Sequence, residues 1–163
     1  MTGSQYENYV KYFRKHPEKV NTVIKCNKFL TMVGYFLYPL ILFYLFLCNK
    51  KKLPAYIFIP AIAFALVSIF RKCFNRKRPY EQPEFKTLTK RKKKGQSFPS
   101  RHVFSYTLIS IIWINICPPV GIIMLISNFL LAWLRVILGV HYPSDVLAGG
   151  ILGLLFGIIS ITI

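Results

Sequence analysis

Residues 29–48 read FLTMVGYFLYPLILFYLFLC, a run of twenty residues without a charged side chain. A helix needs about 20 apolar residues to cross a bilayer core of about 30 Å, so this run predicts a membrane span. The composition agrees, because 54% of the 163 residues are hydrophobic, more than is usual in a soluble domain. The chain therefore belongs to the membrane class, and its length suits a single domain over residues 1–163.

Three further uncharged runs extend this pattern. Leu53–Phe70 is long enough to cross with modest thinning of the bilayer, and Val146–Ile163 is a last span. The run from Val103 to Leu134 is too long for one crossing, and Pro118 and Pro119 divide it where a helix should stop. The sequence therefore predicts an all-α bundle of about five transmembrane helices.

The segment before the first span, residues 1–28, is polar and basic. Tyr6, Tyr9, Val10 and Phe13 recur at helical spacing with basic residues between them. This pattern predicts an amphipathic helix over residues 5–16 that lies on the membrane surface and leads into the first span.

The charge balance is strongly basic, with a net charge of +17 and the run KRKKKG at residues 90–95. Basic segments next to membrane spans attract anionic lipid headgroups. We expect the bilayer and its anionic lipids, rather than nucleic acid, as partners of this charge.

Polar side chains gather on one side of the predicted bundle. Consecutive spans cross in opposite directions, so the ends of spans two and four and the starts of spans three and five share one face. The residues predicted on that face are Arg71, Arg78, Ser100, Arg101, His102, Arg135, His141 and Asp145. Each alone could be a helix anchor or a structural histidine, but ionisable groups that converge at the membrane boundary predict a functional site.

The arginines on this face predict an anionic ligand. Guanidinium groups present planar forks of donors that match phosphate oxygens. Ser100 follows Pro99 and precedes an apolar run, so it is placed as the N-cap of a helix whose N-terminus also favours anions. The sequence therefore predicts a ligand that carries phosphate, held in part by Arg71, Arg78 and their neighbours.

The histidines and the aspartate predict phosphate-ester chemistry. Asp145 follows His141 by four residues and could orient that imidazole as a nucleophile, while His102 could protonate the leaving group. Two alternatives remain open: a divalent metal site, which the surrounding cations disfavour, and Ser100 as nucleophile, which its helical spacing from His102 makes awkward. The four cysteines show no CxxC spacing, so neither a disulfide framework nor a zinc site is expected. No cofactor is expected either.

Three stretches resemble the signature of the type 2 phosphatidic acid phosphatase family, integral-membrane lipid phosphatases whose active site is shared with bacterial acid phosphatases and vanadium haloperoxidases. The family motif K-x6-R-P appears as RKCFNRKRP at residues 71–79. P-S-x-H appears as PSRH at 99–102, and S-R-x5-H-x3-D appears as LRVILGVHYPSD at 134–145. The resemblance covers residues 71 to about 155.

The resemblance implies roles for the residues of this face. His141 resembles the nucleophile that forms a phosphohistidine, Asp145 the carboxylate that orients it, and His102 the acid. The residues that resemble the phosphate-binding set are Arg78, Ser100, Arg101 and Arg135. Arg71 stands where the family has lysine, with Lys72 one place later, and Leu134 replaces the serine of the third motif.

The resemblance further implies a metal-independent lipid phosphatase in the cell membrane, crossing it several times, with residues 71–102 as its basic active-site loop. Undecaprenyl diphosphate, phosphatidylglycerophosphate and phosphatidic acid all suit it as substrates. A non-catalytic protein that binds anionic lipids, and a phosphotransferase that uses the same histidine, are the alternatives. The excess of basic residues on the site's side favours a cytoplasmic site, whereas family members that recycle undecaprenyl diphosphate act on the outer side.

Overall fold

A computed structural model describes residues 3–83, 85–89 and 93–163 of the chain. Residues 90–92 of the predicted basic run, and the side chain of Tyr9 in the predicted surface helix, lie outside the described part. The helices within the described part are α1 (Gly3–Lys15), α2 (Pro17–Cys48), α3 (Leu53–Phe74), a short 3₁₀ helix (Pro79–Glu81), α4 (Arg101–Ile116), α5 (Pro118–Ile137) and α6 (Pro143–Thr162).

The helical membrane bundle is confirmed. Four of the helices, α2, α3, α5 and α6, are long and apolar enough to cross a membrane. The third predicted span is α4, a helix of 16 residues that is shorter than a full crossing requires. The division of the long apolar run is also confirmed, because α5 begins at Pro118.

Two helix boundaries differ from the prediction. Helix α2 begins at Pro17, well before Phe29, and α3 continues past Phe70 to Phe74. Hydropathy marks only the apolar part of a helix, whereas lysine and asparagine are tolerated on the exposed side of its continuation. The second extension places Arg71 in the last turn of α3 rather than in a loop.

Helix α4 forms the centre of the bundle. All residues from Val103 to Trp113 are buried except Ser105, which is half-buried. The surrounding helices instead expose large apolar side chains, such as Phe36 (71% exposed), Phe129 (75%) and Leu147 (66%). An apolar surface of this kind is unfavourable in water and suits contact with lipid tails.

Glycines of α6 let this helix approach α4 closely. A Cβ atom at Gly149 would lie 2.6 Å from the Ser100 carbonyl oxygen, and one at Gly153 would lie 2.5 Å from that of Phe104. Any larger residue would force the two helices apart. The close approach brings the starts of α4 and α6 together, where the Ser100 amide donates a hydrogen bond of 2.8 Å to the Asp145 carbonyl.

Helix α1 is amphipathic as predicted, but its apolar face packs against protein. Tyr6 and Val10 are buried in a cluster with Phe85, Ile137 and Tyr142. The Tyr6 hydroxyl donates a hydrogen bond of 2.7 Å to the Ile137 carbonyl. The expected membrane-facing stripe therefore covers the end of α5 and parts of the segments before α4 and α6, because Ile137, Phe85 and Tyr142 offer an apolar surface there.

Candidate active site

The centre of the site is the pair His141 and Asp145. Asp145 lies in the first turn of α6, fully buried, and its Oδ2 accepts a hydrogen bond of 2.9 Å from the Tyr142 amide. Nδ1 of His141 lies 3.4 Å from the same oxygen. Since a carboxylate can only accept, the proton resides on Nδ1 and Nε2 keeps its lone pair.

His141 is neutral at physiological pH. Burial lowers the pKa of this histidine to about 4, although its hydrogen bond to Asp145 acts in the opposite direction. A neutral imidazole with a free Nε2 lone pair is the form that can attack an electrophile.

Two residues that the sequence did not single out also hold the Asp145 carboxylate. The Ser97 hydroxyl is buried, donates a hydrogen bond to Asp145 Oδ2 and lies 3.4 Å from His141 Nδ1. Nη1 of Arg76 donates to Asp145 Oδ1 at 2.8 Å, and its guanidinium lies 4.3 Å from the centre of the Tyr142 ring. Ser97 therefore bridges His141 and Asp145, and Arg76 fixes the other carboxylate oxygen.

Arg71 and Arg78 bind backbone carbonyls beside this pair. The acceptors of Arg71 are the carbonyls of Gln96, Ser97 and Pro99. Those of Arg78 are Gly95 at 2.9 Å, and Gln96 and Val140 at 3.3 Å. In this structure both arginines hold the segment before α4 in place, and Arg78 also ties it to the segment before α6.

Polar contacts close the basic loop, whose non-helical part is shorter than the predicted 71–102. Asn75 Oδ1 accepts from the Gln96 amide at 3.2 Å. The Glu81 carboxylate accepts from the amides of Arg78 at 2.8 Å and Gly95 at 2.7 Å. These contacts fix the two ends of the loop against each other and position Ser97 beside Asp145.

Ser100 occupies the N-cap position of α4, as predicted, but its side chain does not cap the helix. The hydroxyl is fully buried and has no hydrogen-bond partner among the described residues. An unpaired buried hydroxyl costs free energy. A ligand oxygen bound at the N-terminus of α4 would satisfy it and would also be favoured by the helix dipole.

Of the remaining predicted residues, Arg101 and His102 line a cavity beside the start of α4, and Arg135 contacts a residue of its lining. The cavity has a volume of about 90 Å³, and its lining includes Thr31, Arg101 and His102. Arg135 is buried at the end of α5 and donates to Thr31 Oγ1 at 3.3 Å. The structure thus places the predicted residues around two adjoining features, the His141–Asp145 pair and this cavity.

A comparison with known protein families identifies the chain. Residues 52–163 match the model of the PAP2 superfamily. The chain belongs to this superfamily. The resemblance read from the three motifs is confirmed, and all three lie within the matched range.

The match to an individual relative covers a smaller part of this PAP2 protein than the family model does. The putative undecaprenyl-diphosphatase YbjG of Escherichia coli is 37% identical over 67 residues, 39% of this chain and 32% of the relative. The match therefore spans about a third of the relative's length.

Two solved structures share the fold. Aquifex aeolicus LpxE superposes with a TM-score of 0.74 at 24% identity, covering 99% of this chain and 95% of that one. A PAP2-type phosphatidylglycerolphosphate phosphatase from Bacillus subtilis gives a TM-score of 0.66 at 25% identity, with coverages of 98% and 84%. The described helices therefore have the arrangement of membrane PAP2 proteins.

Proposed function

We propose that the protein is a membrane lipid phosphatase that hydrolyses a lipid phosphate or diphosphate through a phosphohistidine on His141. The observation that carries this proposal is the buried His141–Asp145 pair next to the open N-terminus of α4. A protein that only binds anionic lipids does not require a histidine that a buried carboxylate orients as a nucleophile. Membership of the PAP2 superfamily supports the same chemistry.

In the proposed reaction, Nε2 of His141 attacks phosphorus while Asp145 stabilises the positive charge that develops on the imidazole. The bond from phosphorus to the leaving oxygen breaks, and His102 gives that oxygen a proton. Water then attacks the phosphohistidine and releases inorganic phosphate. Ser100, Arg135 and the N-terminus of α4 stabilise the phosphoryl oxygens, and Arg101 is a further phosphate-binding residue beside them.

The substrate headgroup would enter this pocket while its hydrocarbon tail stays among the helices. The exposed apolar side chains of the bundle place the protein in a membrane, and we propose the cell membrane as its location. Anionic lipids are proposed partners of the exposed basic side chains near the site, such as Lys77, Lys93 and Lys94.

The decisive experiment is release of inorganic phosphate by the purified protein from a panel of lipid phosphates. The panel contains phosphatidic acid, phosphatidylglycerophosphate and undecaprenyl diphosphate, with EDTA present throughout. Release from at least one member supports the proposal. No release from any of them would reject it, whereas loss of lipid phosphate without free phosphate would indicate transfer to another acceptor.

Vanadate is expected to inhibit competitively, and chelators are expected to have no effect. Vanadate adopts a trigonal-bipyramidal geometry like that of the phosphoryl group in transfer, so it should raise the apparent KM without lowering kcat. Steady-state kinetics at several vanadate concentrations, with and without EDTA, measure both effects. Activity that EDTA abolishes and a divalent ion restores would instead favour a metal-dependent mechanism.

Ser97→Ala is expected to lower kcat by about 10- to 100-fold, the effect of losing a hydrogen bond to a charged group. The loss removes the bridge between His141 and Asp145, so KM should change little. Separate measurement of kcat and KM tests this expectation.

Ser110→Ala is the matched control for Ser97→Ala. Ser110 is equally buried, but its hydroxyl donates only to the Tyr106 carbonyl of its own helix. A fall in kcat of similar size in both variants would show that Ser97 matters for packing rather than for positioning the nucleophile.

A further inference from the structure

Arg101 differs from Arg71 and Arg78 in what its guanidinium contacts. Those two arginines each donate to three backbone carbonyls. Within the described part of the chain, Arg101 makes one long hydrogen bond, 3.4 Å to the Ser68 hydroxyl, and lies 5.4 Å from the centre of the Phe64 ring. A guanidinium has five N–H donors, so most of those of Arg101 remain available to a ligand.

These donors lie at the cavity beside α4, on the side of the proposed proton donor. Arg101 and His102 line the cavity together with the hydroxyl-bearing residues Thr31 and Ser105, and much of the remaining lining is apolar, as at Phe64. His141 is not among the described residues that line it. The nucleophile and the leaving group lie on opposite sides of phosphorus in an in-line displacement, so a leaving group on the side away from His141 would lie at this cavity.

The charge of Arg101 then restricts what the leaving group can be. A lipid alcohol is neutral, so it offers this half-buried guanidinium no counter-charge and only a single hydroxyl oxygen as acceptor. A leaving group that itself carries phosphate would supply both the counter-charge and several acceptors for the available donors.

We propose that this cavity is a subsite for the lipid-side phosphate and that the substrate is a lipid diphosphate. The inference rests on the proposed function and specifies its substrate class. His141 Nε2 attacks the terminal phosphorus, and the bond from this phosphorus to the bridging oxygen breaks. The bridging oxygen keeps the electron pair and departs as lipid monophosphate. Water hydrolyses the phosphohistidine, so that lipid diphosphate and water give lipid monophosphate and inorganic phosphate.

The test compares a prenyl diphosphate with the monophosphate of the same prenol, so that the tail is constant. We expect the wild-type protein to have the higher kcat/KM for the diphosphate. In Arg101→Gln the ratio of the two kcat/KM values should fall on the order of 10- to 100-fold, the effect of a lost charged hydrogen bond. Arg101→Lys keeps the charge without the planar fork, so its ratio should lie between those of the wild type and Arg101→Gln.

Lys86→Gln is the control for the loss of one positive charge, because Lys86 is an exposed residue of the same basic loop. It should leave the ratio unchanged. Equal losses for both substrates in Arg101→Gln would show that Arg101 binds the transferred phosphoryl group and would overturn the inference. So would a wild-type preference for the monophosphate, although the proposed phosphatase function would then stand. A wild-type protein that releases phosphate from neither substrate, nor from any member of the lipid panel, would reject the proposed function itself.

Discussion

His141→Ala is expected to lower phosphate release by about 10⁴-fold or more, because removing the proposed nucleophile leaves only binding and electrostatic stabilisation. Asp145→Asn should cost less, on the order of 10²- to 10⁴-fold, since the nucleophile remains but loses its orientation and charge partner. Initial rates of phosphate release on the preferred substrate measure both losses.

His16→Ala is the control for this pair of variants. His16 lies between α1 and α2, and its ring contacts the Tyr12 carbonyl rather than the site. It should retain the wild-type rate. A His141→Ala protein that elutes as a folded monodisperse species and still turns over at a near-normal rate would remove the phosphohistidine mechanism.

The fold was predictable from the sequence because a bilayer imposes a simple rule on the chain. Uncharged runs of sufficient length mark spans, and paired prolines such as Pro118 and Pro119 mark their ends. The same rule does not indicate where a helix continues beyond its apolar region. The start of α2 at Pro17 and the end of α3 at Phe74 were therefore not predicted from the sequence. Helix α4 lies at the centre of the bundle, and hydropathy does not distinguish burial by protein from burial by lipid.

The candidate site was predictable only where the spacing of residues along the chain indicates that they lie close together in the fold. The four-residue separation of His141 and Asp145 places both at the start of α6, where they meet within 3.4 Å. Ser97 and Arg76 reach the same carboxylate from distant positions in the chain, through a folded loop. No local pattern signals such contacts. The sequence around Ser97, two residues before Pro99, does not distinguish it from other serines. Its contact with Asp145 forms only when α4 and α6 are packed together.

The predicted phosphate-binding arginines show the same limit. Sequence supplies a set of equivalent cations on one face, and the structure gives them different surroundings. Arg71 and Arg78 contact the backbone of the loop, whereas Arg101 faces a cavity with few protein partners. Whether a guanidinium supports the loop or meets a ligand depends on which carbonyls come within reach, and this is a property of the folded chain.

His102→Ala is expected to have an effect that depends on the substrate. A phosphate monoester expels an alkoxide, whose oxygen is as strongly basic as hydroxide. Loss of the acid should therefore slow monoester hydrolysis on the order of 10²- to 10⁴-fold. A lipid diphosphate expels a phosphate oxygen with a pKa of about 6, which leaves readily without a proton. The same variant should then lose roughly tenfold or less on the diphosphate.

The prenyl diphosphate and monophosphate pair measures this difference, with kcat determined for each substrate in the wild type and in His102→Ala. His102→Gln is the companion variant, because its amide fills similar space and can donate a hydrogen bond but cannot act as an acid at neutral pH. If His102 protonates the leaving oxygen, both variants should show the larger loss on the monophosphate. A different result would be an equal loss of kcat on the two substrates in His102→Ala and a smaller loss in His102→Gln. That result would show that His102 holds the phosphoryl group by hydrogen bonding. His102 is half-buried and lines the cavity next to Arg101. In the proposed mechanism it gives its proton to the leaving oxygen of either substrate, so only the basicity of that oxygen should separate the two rates.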